Sequence, residues 1–278
     1  MTPPDEALPQ ERRFLGLSAG TWPRILAPLV MGLLLLGGWE WAVRHFAVPA
    51  YIVPGPVQIA QTLVKDWPTL SGSLAVTLRI TLLALLVAVS AGVALSVLFS
   101  QSKWVEMTFL PYAVMLQVTP VVAIAPLIII WVDNVQASLL ICAWIVAFFP
   151  IVSNTTIGLN STDRNLVDLF RLYGATRWQT LVQLRLPAAM PFFLAGLRIS
   201  GGLSLIGAIV AEFVAGTGGA SSGLAYRILE SGYQLQIPRM FAALALISFS
   251  GVVIFLALSL VSHLMLRRWH ESALKKDR

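Results

Sequence analysis

The sequence predicts an all-α protein that crosses a membrane six times, and three observations lead there. Hydrophobic residues make up 57% of the 278 and charged residues 12%, about half of the roughly 25% charge of a soluble domain. Mean hydropathy is +0.80. The charges that exist cluster between uncharged runs, each close to or above the roughly 20 residues that cross the hydrocarbon layer as a helix.

Residues 1–24 are polar, with Pro3, Pro4, Asp5, Glu6, Glu11, Arg12 and Arg13, and are expected to form a short tail. The first span is expected at 25–47, with Glu40 and Arg44 spaced i,i+4 for an ion pair near the interface. A cleaved signal peptide fits less well, because the polar leader is long and no small-residue cleavage site follows the apolar core. Pro49, Pro54, Pro56 and Pro68 break the next stretch into a loop holding one short helix around 57–66. Further spans are expected at 74–100, 107–131, 136–158, 188–211 and 240–266, giving a transmembrane domain over 25–268 and a tail over 269–278. There is no internal repeat and no low-complexity segment.

Net charge is +6 and the isoelectric point about 9.9, which in a soluble chain would suggest nucleic acid. The basic residues instead alternate by loop. Arg12, Arg13, Arg24, Lys103, Arg164, Arg171, Arg177, Arg185, Arg267, Arg268, Lys275, Lys276 and Arg278 fall on one side, against Arg44, Lys65, Arg79, Arg227 and Arg239 on the other. The positive-inside bias puts the richer side, with both termini, in the cytoplasm and makes a nucleic-acid partner unnecessary. The single cysteine, Cys142, cannot form an intrachain disulfide.

The largest cytoplasmic loop, 160–186, reads "DLFRLYGATRWQTLVQLRLP" over 168–187. Leu166, Leu169, Phe170 and Tyr173 recur at helical spacing opposite Arg164, Asn165, Asp168 and Arg171. Gly174 supplies the left-handed residue that ends a helix. Thr176 and Gln179 match a capping box, so a second helix is expected from there to Leu186, with Trp178, Leu181 and Val182 on one face. Pro187 suits the first turn of the next span. Two uses fit this pair of amphipathic helices: lying on anionic lipid, or docking against a partner.

The frame of the loop resembles the signature of permease subunits in binding-protein-dependent ABC importers: E-A-A, three residues, G, nine residues, I, one residue, L-P. Here it is Asp168-Leu169-Phe170, three residues, Gly174, nine residues, Leu184, one residue, Leu186-Pro187. The triplet differs, while the glycine, the LP pair and the spacings agree. Stretches such as "YIVPGPVQI" (51–59), "TPVVAIAPLIIIW" (119–131), "LPAAMPFFLAGLRIS" (186–200) and "AEFVAGTGGASSGLAYRIL" (211–229) are similar to the nitrate, taurine and sulfonate type.

The resemblance implies a type I importer fold working as a pair of permeases, likewise paired ATPases that hold ATP and Mg²⁺, and an external binding protein, all at the bacterial inner membrane. It also implies a coupling surface at Asp168, Leu169, Phe170, Gly174, Ala175, Thr176, Arg177, Trp178, Leu186 and Pro187. The solutes of such permeases include nitrate, taurine, sulfonates and pyrimidine-like nitrogen compounds.

Other chemistry is sparse. "GGASSG" (218–223) has the glycine spacing of a phosphate loop, but Leu224-Ala225 stand where Lys and Ser/Thr are needed. His45, His263 and His270 are scattered, so no metal site is expected. Arg198 inside a span is either a structural cation or an attractor of anionic solute, and Glu212 is either its partner or a gate residue. Gln117, Thr119, Pro120 and Pro126 mark span three as a pathway wall or a packing kink. Asn154 is a pathway candidate, and with Thr155 and Thr156 a candidate for bonds between helices. An ion-driven secondary transporter would want paired intramembrane carboxylates or interrupted half-helices, and a membrane enzyme or scaffold lacks a convergent polar cluster.

Overall fold

Prolines in the first turn open four helices, at Pro56, Pro68, Pro187 and Pro238, and Ser102, Pro120 and Asn134 stand at breaks in the computed structural model, which describes residues 13–14, 17–18, 21–216 and 222–267. Eleven helices are described. Helices α1 (Thr21–His45) and α2 (Pro56–Lys65) precede α3 (Trp67–Gln101), a bent pair α4 (Lys103–Val118) and α5 (Val121–Trp131), and α6 (Val135–Asn160). Then come α7 (Arg164–Leu172), α8 (Arg177–Thr180), a π-helical turn (Leu181–Arg185), α9 (Leu186–Ala215), α10 (Leu224–Tyr233) and α11 (Ile237–Leu266). A two-residue pairing of Arg13–Phe14 with Leu17–Ser18 lies in the N-terminal tail. The expected tail at 269–278 lies outside the described residues.

Among the described residues five helices are long and apolar enough to cross a membrane, or six if the bent pair α4–α5 counts as one span. The expected third span is broken, as its prolines led one to expect, into two pieces meeting at 100°. Pro120 has no N–H to donate and forces the residue before it out of the helical region, and Thr119 accordingly sits at φ −67°, ψ 121°. Pro126 does not break anything: it is carried inside α5. Span two starts earlier than expected, at Trp67, because Pro68 fits a first helical turn. At 35 residues α3 is roughly 50 Å long, so it projects beyond a hydrocarbon layer of about 30 Å.

Helices α3, α6 and α9 form the centre. Their contact surfaces are lined by small residues, which let backbones approach closely where lipid offers no hydrophobic gain for association. A Cβ on Gly207 would stand 2.8 Å from Cα of Ala143, and one on Gly158 2.9 Å from Cα of Ala189. Serine hydroxyls bridge the same helices: Ser200 donates to the Ala147 carbonyl at 2.6 Å and Ser96 to that of Val152 at 3.0 Å. Helix α1 lies at the periphery and meets the bundle at α2 and through Trp39 against Phe241. Outward faces are apolar, with Leu33, Leu86 and Phe249 exposed, an inversion that fits lipid as the solvent.

Candidate functional site

The 160–186 loop forms a knob at one end of the bundle. Asp163 opens α7 by accepting from the Asn165 N–H at 2.8 Å. Gly174 closes it at φ +73°, a conformation that side chains with a Cβ resist, and its N–H donates to the Arg171 carbonyl at 3.0 Å. The capping box is present in full: the Gln179 N–H donates to Thr176 Oγ1 at 3.2 Å, and the Thr176 N–H to Gln179 Oε1 at 2.8 Å. The apolar stripe of α7 finds little cover among the described residues. Leu166 and Leu169 are exposed, Leu172 and Tyr173 almost wholly so, and Phe170 is half-buried. Trp178 across the hinge is exposed as well, and a cavity of about 380 Å³ opens beside Phe170, Tyr173 and Gly174.

The second helix departs from expectation. It does not stop at Leu186 but runs from Arg177 to Ala215 through the π turn, in which the Leu186 N–H reaches back to the Leu181 carbonyl. The wider turn falls immediately before Pro187, which has no N–H to give. Nor do Trp178, Leu181 and Val182 share one environment: Leu181 is buried near Leu159 and Ala189, while the other two are exposed. The knob is thus welded to α9 and hinged at Gly174. Asp168 and Ala175 lie on its surface side, Asp168 paired with Arg171 at 3.1 Å.

At the opposite end, two carboxylates each hold the start of a short helix. Glu40 of α1 accepts from the Val57 N–H at 3.1 Å and from Arg44 at 2.6 Å, the latter as the spacing predicted. Glu212 of α9, buried, accepts from the Ala225 N–H at 3.0 Å and from Thr77 Oγ1 at 2.8 Å. In both cases the donor is two residues past a glycine N-cap, Gly55 or Gly223, where a Cβ would run into that same carboxylate. A helix N-terminus suits an anion, and the absent Cβ makes the approach possible. Thr77 also accepts from the Leu224 N–H at 2.9 Å, so α3, α9 and α10 meet at one buried point.

Arg227 of α10 donates to Ser73 at 2.9 Å, and Arg239 of α11 pairs with Asp66 at 2.6 Å. A double-mutant cycle on Asp66→Asn and Arg239→Gln is expected to give a coupling of about 1 kcal/mol, since the pair is only partly exposed. No coupling would mean that the contact does not hold α11 to the end of α2.

The remaining pathway candidates are not brought together, and no hydrogen bond joins any two of them among the described residues. Gln117, Thr119 and Pro120 mark the α4–α5 bend, where Thr119 donates to its own helix at Met115. Asn154 donates to the Pro150 carbonyl of its own helix at 2.8 Å. The expected bonds of Thr155 and Thr156 to other helices are not made; both hydroxyls lack partners among the described residues. Arg198 does not meet Glu212. It donates to Ser262 of α11 at 2.6 Å. Of "GGASSG", residues 218–221 lie outside the described residues. Thr77, Ser73, Ser262 and Asp66 escaped the sequence reading, although a lone carboxylate at the end of an apolar run, as at Glu212, signals that donors must be near.

The family described as binding-protein-dependent transport system inner membrane component matches residues 84–271. The formylaminopyrimidine transport permease protein ThiX of Halalkalibacterium halodurans is 34% identical over 87% of this chain and 95% of its own length. The riboflavin transport system permease protein RibX of Chloroflexus aurantiacus is 31% identical over 94% and 96%, and the putative aliphatic sulfonates transport permease protein SsuC of Bacillus subtilis 30% over 80% of each. In fold, the chain is similar to an amino acid ABC transporter crystallised with histidines, with a TM-score of 0.60 at 19% identity over 75% of this chain and 97% of that one. The inward-facing MetNI methionine ABC transporter gives 0.59 at 18% identity over 73% and 96%.

Proposed function

Since this chain belongs to the family of binding-protein-dependent transport system inner membrane components, and is a multi-pass permease subunit of an ABC importer, we propose that it carries a pyrimidine-like nitrogen compound. We assign it to the bacterial inner membrane with both termini in the cytoplasm. Two of the relatives named above, ThiX and RibX, carry names of nitrogen-heterocycle transport, which supports this solute class. A sulfonate or similar small anion is the second reading, supported by the name of SsuC and by Arg198 inside α9.

The family implies ATPase and binding-protein partners. In our reading two copies of this chain line the pathway, and ATP with Mg²⁺ is bound by the ATPase pair. The knob couples the two: its exposed Leu166, Leu169, Leu172, Tyr173 and Trp178 form an apolar surface left uncovered by the described residues, and this one observation supports the assignment. Because α8 is continuous with α9, a push on the knob displaces a membrane-crossing helix as a rigid rod.

Leu169→Glu together with Tyr173→Glu is expected to lower ATPase binding about 100-fold or more, because a docked apolar face would bury two unpaired charges. Co-purification of the ATPase with the reconstituted permease measures this, and undiminished capture would refute the docking role. The solute class is tested separately. ATP hydrolysis by the assembled complex is followed with its binding protein loaded by a pyrimidine, a sulfonate or nitrate, and stimulation by the sulfonate alone would overturn the first reading.

A further inference from the structure

The knob carries a second feature, on the side away from its apolar stripe. Between α7, the π turn and the ends of α3 and α6 lie two adjoining polar cavities of about 340 and 350 Å³. Arg171, Arg185 and Val167 border both; Arg177 lines the first and Arg164 the second. Three arginines therefore line each cavity, and two of them, Arg171 and Arg185, are shared. Asp168, also at the second cavity, gives one oxygen to Arg171.

Arg185 is fixed by donating through Nη1 to the Ser100 carbonyl at 3.1 Å, and it is half-buried. The side chains of Arg164 and Arg177 make no hydrogen bond or ion pair with a described residue. Neutral polar side chains stand among the cations, Gln101 and Thr180 in the first cavity and Thr162 in the second, with the two threonine hydroxyls donating to the Thr176 and Leu159 carbonyls. Four cations and one carboxylate leave the two cavities with uncompensated positive charge. Guanidinium groups match the paired oxygens of a phosphate group.

We propose that these cavities form a binding site for a phosphate group, and that the group comes from the headgroup of an anionic phospholipid. The depth carries the choice of source. The site lies at Gln101 and Asn160, the last residues of α3 and α6, two helices long and apolar enough to cross the membrane. The uncharged runs Ile80–Ser102 and Asn134–Thr162 end there, at Lys103 and Asp163, so this is the end at which the apolar layer gives way to headgroups. A lipid held there would tie the hinge of the knob to the membrane surface.

The test uses the full chain in complex with its ATPase, delipidated in detergent and titrated with phosphatidylglycerol, with phosphatidylcholine as the neutral comparison. Native mass spectrometry counts the retained lipid. Preferential retention of phosphatidylglycerol is expected, about fivefold weaker in Arg171→Gln and again in Arg185→Gln, in line with the attraction of one basic side chain at a membrane surface.

Arg185→Lys keeps the charge and is expected to retain most of the lipid, which separates loss of the site from loss of the Ser100 contact. The exposed Arg164→Gln serves where Arg185→Gln fails to assemble. Inorganic phosphate is titrated in a parallel arm; phosphate that binds with the same dependence on Arg171 and displaces the lipid upholds the phosphate site and assigns it to the free ion. Equal retention of both lipids with no phosphate binding, or identical retention in wild type, Arg171→Gln and Arg164→Gln, overturns the proposal. The measurement needs neither solute nor ATP hydrolysis, so its outcome leaves the transport reading untouched.

Discussion

Gly174→Pro is expected to abolish transport while leaving the membrane bundle folded. Gly174 sits at φ +73°, and proline is locked near −65°, so the chain direction between α7 and α8 cannot be kept. Proline also deletes the donor to the Arg171 carbonyl. Gly174→Ala keeps that donor and meets no neighbour within 4 Å, so its penalty is confined to about 1–2 kcal/mol of left-handed strain.

The pair gives a graded result: partial loss of transport for alanine and complete loss for proline. ATP hydrolysis in the proline variant is expected to continue without stimulation by the loaded binding protein. The readouts are solute uptake into proteoliposomes and stimulated ATPase activity in the same preparation. A proline variant that transports like wild type would remove Gly174 as the hinge.

Glu212→Leu is expected to cause the largest loss of stability at the other end of the molecule. It strands the Ala225 N–H and one bond of the Thr77 hydroxyl in a buried position, at about 1–3 kcal/mol for each unsatisfied group. In thermal unfolding this reads as a midpoint roughly 5–10 °C lower, with uptake reduced because α10 is no longer fixed to α9. Gly223→Ala is expected to act through the same contact, since its Cβ would occupy the place of the Glu212 carboxylate. The two changes are therefore not additive: with Glu212→Ala the space is vacated, and Gly223→Ala should then cost little more. Equal and additive losses would separate the glycine from the carboxylate and remove the shared contact as the cause.

Much of the chain's organisation was legible because its signals are local. Uncharged runs marked the membrane helices, proline clusters the breaks, and the Thr176–Gln179 pair a cap that forms as the spacing requires. The departures share one cause. Whether Pro120 bends a helix while Pro126 is absorbed, or where the helix after Thr176 ends, depends on what neighbouring elements supply to the freed carbonyls and which side chains they cover. Leu181 and Trp178 lie three residues apart on one apolar face, yet only Leu181 meets α6.

The sequence by itself determined the solvent, the number of crossings to within the bent pair, and the knob with its glycine hinge. Each of these follows from hydropathy over one helix length or from backbone preferences of a few adjacent residues. Only the tertiary structure decided the fate of the isolated charges. Arg198 turns to Ser262, 64 residues away, and Glu212 to Thr77, 135 residues away, rather than to one another. A buried charge takes whatever donor or acceptor the packed helices bring within about 3 Å, and that choice is set by helix crossings that no local pattern encodes.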